Sequence, residues 1–304
     1  MISGSVVAIV TPFKNGKVDE ATLKDLVEFQ IQNGTTGIVP CGTTGESPTL
    51  TTEEHERVIE IVIEAARGRV PVIAGTGSNA TAEAVALTKH AAKAGANAAL
   101  VVSPYYNRPT QTGLYYHFKA IAESVKIPII LYNIAGRTGV NIEPVTIARL
   151  AKDFKNIIGV KEASGSLDQM QTIKDLCPTS FLLISGDDAL TLPILSIGGV
   201  GVISVAANII PQDVANMISF FKKGNLAQAQ SLHYKMLPLF KSLFIETNPI
   251  PIKIAMGMMG LCADELRLPL CPMSDENFLK LKNALSTYGL LEQKSLKQKQ
   301  STRK

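Results

Sequence analysis

A 304-residue chain that is 46% hydrophobic and 18% charged can bury one large core and lies well outside the disordered range of composition. Its net charge of +4 belongs to one end: Lys294, Lys297, Lys299, Arg303 and Lys304 follow Glu292 without an acid, and removing those five from 30 bases leaves 25 against 26 acids. That balance excludes a nucleic-acid footprint in the body, and no apolar run is long enough for a membrane span.

The start, Met1-Ile2-Ser3-Gly4-Ser5, has no basic region followed by a hydrophobic one, so neither a signal nor a transit peptide is expected. Apolar, β-branched runs predict strands at Ser5–Val10, Gly37–Pro40, Val70–Ala74, Ala98–Ser103, Ile127–Tyr132, Ile157–Lys161, Phe181–Ser185 and Gly201–Val205. Helical periodicity fills the gaps. Ala21–Asn33 follows Asp19 and stops at Gly34, and Thr51–Arg67 opens on Thr51-Thr52-Glu53-Glu54, a capping box. Ala80–Ala94 stops at Gly95, Thr112–Ser124 stops before Ile127-Pro128, and further helices are predicted near 143–153, 166–176, 188–197 and 211–223. One βα unit recurs every ~30 residues, and the strands are apolar on both sides, as a helix-covered parallel sheet requires. Eight such units predict a (β/α)8 TIM barrel over 1–224. No GxGxxG follows the first strand, which weakens a dinucleotide-binding alternative. Residues 225–292 read as an all-helical C-terminal extension (Leu226–Phe244, Ile250–Leu261, Asp275–Tyr288) serving packing or assembly, and 293–304 as a basic, solvated tail.

Chemistry in such barrels collects where strands end. The sixth run finishes on Lys161, and alternation puts Lys161, Gly159 and Ile157 on one face. An amine at the edge of a dry strand is costly to keep charged, and a neutral lysine is a nucleophile for a carbonyl carbon. The alternative is a lysine reaching out to a carboxylate such as Glu162. Strand two ends in Cys41-Gly42-Thr43-Thr44-Gly45-Glu46, a tight turn or an anion cradle of hydroxyls and amides. Strand four ends in Pro104-Tyr105-Tyr106-Asn107-Arg108-Pro109, and strand five in Tyr132 followed by Arg137 in a glycine-flanked loop. A phenol can shuttle protons, and a guanidinium can clamp a carboxylate. Lysine, phenols, threonines and arginine at the strand ends of one barrel make a functional cluster the preferred reading. Four cysteines (Cys41, Cys177, Cys262, Cys271) without a CxxC pair read as reduced thiols of an intracellular protein, and Cys41 as a packing residue. Four isolated histidines (His55, His90, His117, His233) argue against a metal site.

These motifs, with Gly159-Val160-Lys161-Glu162, Ser185-Gly186-Asp187-Asp188 and Asn248-Pro249-Ile250-Pro251, together resemble the dihydrodipicolinate synthase family of the pyruvate-dependent class I aldolase superfamily, from the first strand to about Leu291. The resemblance implies a cytoplasmic lyase that condenses pyruvate with L-aspartate 4-semialdehyde in the diaminopimelate route to L-lysine, without metal or organic cofactor. It implies that Lys161 forms a Schiff base with pyruvate and that Thr43 and Thr44 hold the pyruvate carboxylate. Tyr132, Thr43 and Tyr106 would relay protons, Tyr106 entering from a neighbouring subunit. Arg137 would bind the semialdehyde carboxylate, and backbone atoms of Gly186 and Ile203 would complete the pocket. Such relatives are commonly tetramers, dimers of tight dimers, so a homo-oligomer is implied. Ser47, His55, Asn79, Glu83 and Tyr105 match positions that bind the feedback inhibitor L-lysine in sensitive relatives, while Thr52 replaces a further histidine. Ala135 stands where the family commonly has proline, which implies a less rigid Arg137 loop. Two other readings stay open: a lyase of N-acetylneuraminate or a 2-keto-3-deoxy sugar acid, and a barrel that binds a keto acid or amino acid without turnover.

Overall fold

Eight parallel strands form one sheet: β1 (Gly4–Ala8), β2 (Gly37–Val39), β3 (Ile73–Gly75), β4 (Ala98–Val102), β5 (Ile129–Asn133), β6 (Ile157–Glu162), β7 (Leu182–Ser185) and β8 (Gly201–Ser204). These elements come from a computed structural model that describes residues 2–291. The basic tail expected at 293–304, and Glu292 before it, lie outside the described residues. Each strand pairs with its sequence neighbour, and β1 pairs with both β2 and β8. Between β2 and β3 a single bridge, Ile38 to Val72, and two backbone bonds close the circle (Ile38 N to Pro71 O, 3.0 Å; Gly75 N to Pro40 O, 3.0 Å). The sheet is therefore a barrel, with no long edge left for aggregation.

Outside it lie α1 (Glu20–Gln32), α2 (Thr52–Ala66), α3 (Thr81–Ala94), α4 (Gln111–Ser124), α5 (Pro144–Asp153), α6 (Leu167–Leu176), α7 (Thr191–Ser196) and α8 (Pro211–Lys222). Helices α9 (Leu226–Ser242), α10 (Ile250–Met258) and α11 (Asp275–Tyr288) form the helical C-terminal region. Asp19 caps α1, and Thr51 and Glu54 form the reciprocal capping box of α2. Val6, Ala8, Val39, Ile73, Leu100, Ile130, Ile184 and Ile203 fill the barrel with Tyr132. One continuous outer core joins Leu23, Val58 and Met217 of the barrel helices to Met236, Ile252 and Leu281 of α9–α11, so the C-terminal helices are anchored on the barrel's own apolar surface.

Two local features differ from the sequence reading. Ile157 does not share a face with Lys161: it packs outward with Val160 against the helices, while Ile158 joins the barrel interior. The cause is a register shift between Ile129 and Ile130, opposite which β6 carries one extra residue. Second, Phe13–Lys14 and Lys17–Val18 form a small antiparallel ribbon that was not anticipated. Its Asn15-Gly16 turn has both residues at positive φ (54° and 76°), the arrangement that Asn-Gly favours.

Candidate active site

The carboxyl ends of the strands deliver the candidate residues to one end of the barrel. Lys161 on β6 is paired in register with Tyr132 on β5. The lysine is buried, and its Nζ lies 4.1 Å from the centroid of the Tyr132 ring. Among the described residues no carboxylate stands within 4.0 Å of that amine. Glu162, the alternative partner, points the opposite way, as strand alternation requires. It is wholly buried behind the barrel wall and accepts hydrogen bonds from Asn133 Nδ2 (3.0 Å), Ser164 N (2.7 Å) and Gln169 Nε2 (3.1 Å). Gly186 follows β7. A Cβ there would come within 3.2 Å of Lys161 Cε and 2.6 Å of Ala163 Cβ, so a side chain would press on the amine's stem. Ile203 on β8 lies in the same interior layer as Tyr132.

A cavity of about 220 Å³ opens at this end, with Thr43, Ser47, Tyr105, Tyr132, Arg137 and Thr138 in its wall. Lys161, Thr44, Gly186 and Ile203 are not in that wall; the amine is joined to the cavity through the Tyr132 ring that it faces. Thr44 is buried, and its Oγ1 accepts a 3.0 Å bond from Asn248 Nδ2. The Arg137 loop is a single helical turn, Ala135–Thr138, ended by Gly139 at φ 74°. Arg137 is exposed, and its Nη2 donates to Asn248 O at 3.0 Å. Tyr106 is 90% exposed at a φ of 71° and takes no part in this chain's cavity.

Of the residues matched to an inhibitor site, Ser47 and Tyr105 share the cavity wall. His55 is buried on α2, and desolvation pushes its pKa down to about 4. Glu83 in the first turn of α3 accepts from Ser78 Oγ, and Asn79 O accepts from Asn107 Nδ2 at 2.8 Å. Burial pushes the Cys41 thiol far above its ordinary range, and its Sγ lies 3.4 Å from His55 O, which suits packing rather than nucleophilic attack.

Sequence reasoning gave no role to three groups beside the site, although Glu46, Asn248 and Asp188 lie in motifs that it singled out. Lys253 and Glu46 form a 2.5 Å ion pair with both side chains wholly buried, between α10 and the loop after β2. Asn248 touches both Thr44 and Arg137. Asp188, in the loop after β7, is buried and ties that loop to β8 through Ser204 Oγ (2.5 Å), Val205 N (3.0 Å) and Ala206 N (2.9 Å). Burial raises the Asp188 pKa against the pull of those donors. Among the described residues no group of three or more His, Cys, Asp or Glu is placed to hold a metal ion, and no helix is long and apolar enough to cross a membrane.

The chain is similar to several known proteins. The 4-hydroxy-tetrahydrodipicolinate synthase of Syntrophus aciditrophicus is 61% identical over 291 residues, 96% of this chain and 100% of that protein. The crystal structure of a chloride-inhibited dihydrodipicolinate synthase from Acinetobacter baumannii complexed with pyruvate superposes with a TM-score of 0.93 at 46% identity, covering 96% of this chain and 100% of that one. The synthase from Cyanidioschyzon merolae with lysine bound gives a TM-score of 0.93 at 43% identity, covering 95% and 99% of the two chains. A family model described as "Dihydrodipicolinate synthetase family" matches residues 1–288, and with these relatives it shows that the chain belongs to the dihydrodipicolinate synthetase family.

Proposed function

We propose that this chain condenses pyruvate with L-aspartate 4-semialdehyde, the 4-hydroxy-tetrahydrodipicolinate synthase reaction of the diaminopimelate route to L-lysine, through a Schiff base on Lys161. The observation that carries the reading is a buried amine without a carboxylate partner among the described residues, facing a phenol at the mouth of the barrel. Lys161 Nζ adds to the pyruvate ketone carbon and water leaves, giving an imine. The imine withdraws electrons, so the pyruvate methyl loses a proton to the Tyr132 relay and becomes an enamine. The enamine carbon attacks the semialdehyde carbonyl carbon, and the relay protonates the resulting alkoxide. The substrate's own amine then adds to the imine carbon and expels Lys161, closing the ring and restoring the catalyst.

Thr43 and Thr44 hold the pyruvate carboxylate in this reading, and the glycine at 186 leaves room beside the amine. Backbone atoms of Gly186 and Ile203 finish the pocket. Arg137 at the cavity wall meets the semialdehyde carboxylate, which favours this substrate over a sugar acid that offers hydroxyls there. Tyr106 faces outward in one chain, so its place in the relay requires a second copy, within a homo-oligomer built as a dimer of dimers. Residues 1–224 supply the catalytic barrel, and the following helices brace it. Feedback inhibition by L-lysine is supported by the lysine-bound relative from Cyanidioschyzon merolae and by Ser47 and Tyr105 on one cavity wall. Unchanged turnover at millimolar L-lysine would remove that part. A cytoplasmic location follows from the metabolic role proposed.

Pyruvate plus borohydride, followed by peptide mass mapping, tests the core of the proposal. A stable adduct on Lys161 is expected, and no adduct, or one on another residue, overturns it. A coupled assay then separates the readings: turnover of pyruvate with the semialdehyde is expected, and pyruvate release from sugar acids alone would favour a lyase of that class.

A further inference from the structure

The C-terminal region meets the loops at the candidate-site end through several residues, Asn248 among them. Asn248, 4% exposed just before α10, donates through Nδ2 to Thr44 Oγ1 at 3.0 Å, and its backbone carbonyl accepts from Arg137 Nη2 at 3.0 Å. One residue thus touches a group proposed to hold the pyruvate carboxylate and a group proposed to hold the semialdehyde carboxylate. A threonine hydroxyl has one proton to give and two lone pairs to receive with. Thr44 Oγ1 receives from Asn248 and has no acceptor for its own proton among the described residues. That proton is therefore left for an incoming anion.

The reverse amide orientation would place Asn248 Oδ1 against Thr44 and take that proton away. It would also leave both of the amide's N–H groups buried without an acceptor, whereas the present orientation pairs one N–H with Thr44 and leaves the carbonyl oxygen and the other N–H without a partner among the described residues. An unpaired carbonyl is the more readily tolerated of the two. The segment is firmly held, because five residues on Lys253 makes its fully buried 2.5 Å ion pair with Glu46, two residues beyond Thr44. Both partners of the Asn248–Thr44 bond are thus fixed by one internal brace.

We propose that Asn248 is a positioning residue: it turns the Thr44 hydroxyl proton toward the pyruvate carboxylate and seats Arg137 for the second substrate. This inference rests on the Schiff-base reading above. It predicts an order of effects that packing alone would not give. Asn248→Asp is nearly isosteric, so a packing role would tolerate it better than Asn248→Ala. A positioning role makes it worse, because Asp accepts the Thr44 proton and adds a negative charge beside an anion site.

The readout is the pyruvate concentration giving half-maximal borohydride trapping, measured beside the thermal midpoint. We expect a rise of roughly tenfold for Asn248→Ala, a larger rise for Asn248→Asp, and a much smaller change in maximal trapping for both. Combined with Thr44→Val, Asn248→Ala is expected to add no further loss, since it acts through that hydroxyl. Half-saturation in Asn248→Asp equal to that of the unaltered enzyme, or losses from Thr44→Val and Asn248→Ala that simply multiply, would overturn the role. If neither Asn248 variant folds, Asn248→Ser, which can still donate, must fall between the unaltered enzyme and Thr44→Val, and any other order overturns it. Absence of an adduct in the unaltered enzyme would sink the Schiff-base reading itself; a trapped enzyme with indifferent variants sinks only this inference.

Discussion

Two lysines are buried near the active-site end of this molecule, and they live in different chemistry. Lys253 is wholly buried, 2.5 Å from the Glu46 carboxylate, with its Nζ 3.9 Å from the centroid of the Phe13 ring. Lys161 is 6% exposed and has an aromatic face as well, Tyr132 at 4.1 Å, but no carboxylate within salt-bridge reach among the described residues. Burial pulls the Lys253 pKa down while the Glu46 charge holds it up. A cation so matched holds two segments together and has no lone pair to offer. An unmatched amine beside a cavity serves the fold poorly and can attack a carbonyl. Burial alone therefore does not single out the lysine proposed to be catalytic; burial without a counter-charge does.

Removing each amine gives opposite outcomes. Lys161→Ala should abolish pyruvate trapping and lower kcat/KM by roughly ten-thousandfold, about 5.5 kcal/mol of transition-state stabilisation, while the thermal midpoint holds or rises. A variant that is inactive only because it unfolds would break the contrast. Lys253→Met should strand the Glu46 carboxylate in the interior and cost about 3–5 kcal/mol in denaturant unfolding, whereas adding Glu46→Gln should recover part of that loss. If the double variant is less stable than Lys253→Met alone, the pair is not acting as a matched charge.

The contrast was only half legible in the sequence. Lys161 stood out because a β-branched run ends on it and a small polar turn follows. Alternation of side chains carried the rest, although it misplaced Ile157, since an extra residue in β6 leaves no mark on the apolar pattern. Helix α11 was predicted to the residue, and the structure bounds it with Ser274 as cap, Asp275 and Glu276 as first-turn acids and Gly289 as left-handed stop. The Asn-Gly turn of the small ribbon was a readable signal that the short flanking runs hid. Lys253 is different: a lone charge within Ile250-Pro251-Ile252-Lys253-Ile254-Ala255-Met256, all buried, demands a partner, yet nothing in the pattern names one 207 positions away. The Asn248–Thr44 contact, spanning 204 positions, was hidden for the same reason. Strand ends announce a site, while the contacts that steady it are products of tertiary packing.

Two histidines extend the comparison to protons. His55 and His117 are both buried, and desolvation holds each near 4 against an ordinary 6.5. A depressed pKa means that the folded chain binds fewer protons than the unfolded one once the pH drops below about 6.5. Their contribution to stability is complete above that value and is lost progressively as the pH falls toward 4, by roughly 3 kcal/mol for each ring. Urea midpoints at pH 7 and pH 4.5 should show the fall, and His117→Gln, remote from Lys161 on α4, should remove part of it, with His55 and the buried, likewise depressed His233 keeping the rest. An unchanged slope in that variant would place the acid sensitivity elsewhere.

The smallest effect concerns the loop proposed to meet the second substrate. Ala135 opens the single helical turn that carries Arg137, and the first residue of a helix has no intrahelical acceptor for its amide. Proline is suited to that position, and its fixed φ narrows the unfolded ensemble. Ile134, just before it, has φ −146° and ψ 71°, short of the extended ψ that a following proline prefers, so part of the gain is spent adjusting that residue. Ala135→Pro should therefore stabilise the chain by only about 0.5 kcal/mol. It should lower KM for the semialdehyde by less than about threefold and leave pyruvate half-saturation unchanged, because Arg137 lies in that turn, tied to Asn248 O, whereas Lys161 stands on β6. A drop in thermal midpoint would show that Ile134 cannot yield, and a shift in pyruvate half-saturation would show that the two carboxylate sites are coupled more tightly than a shared Asn248 explains.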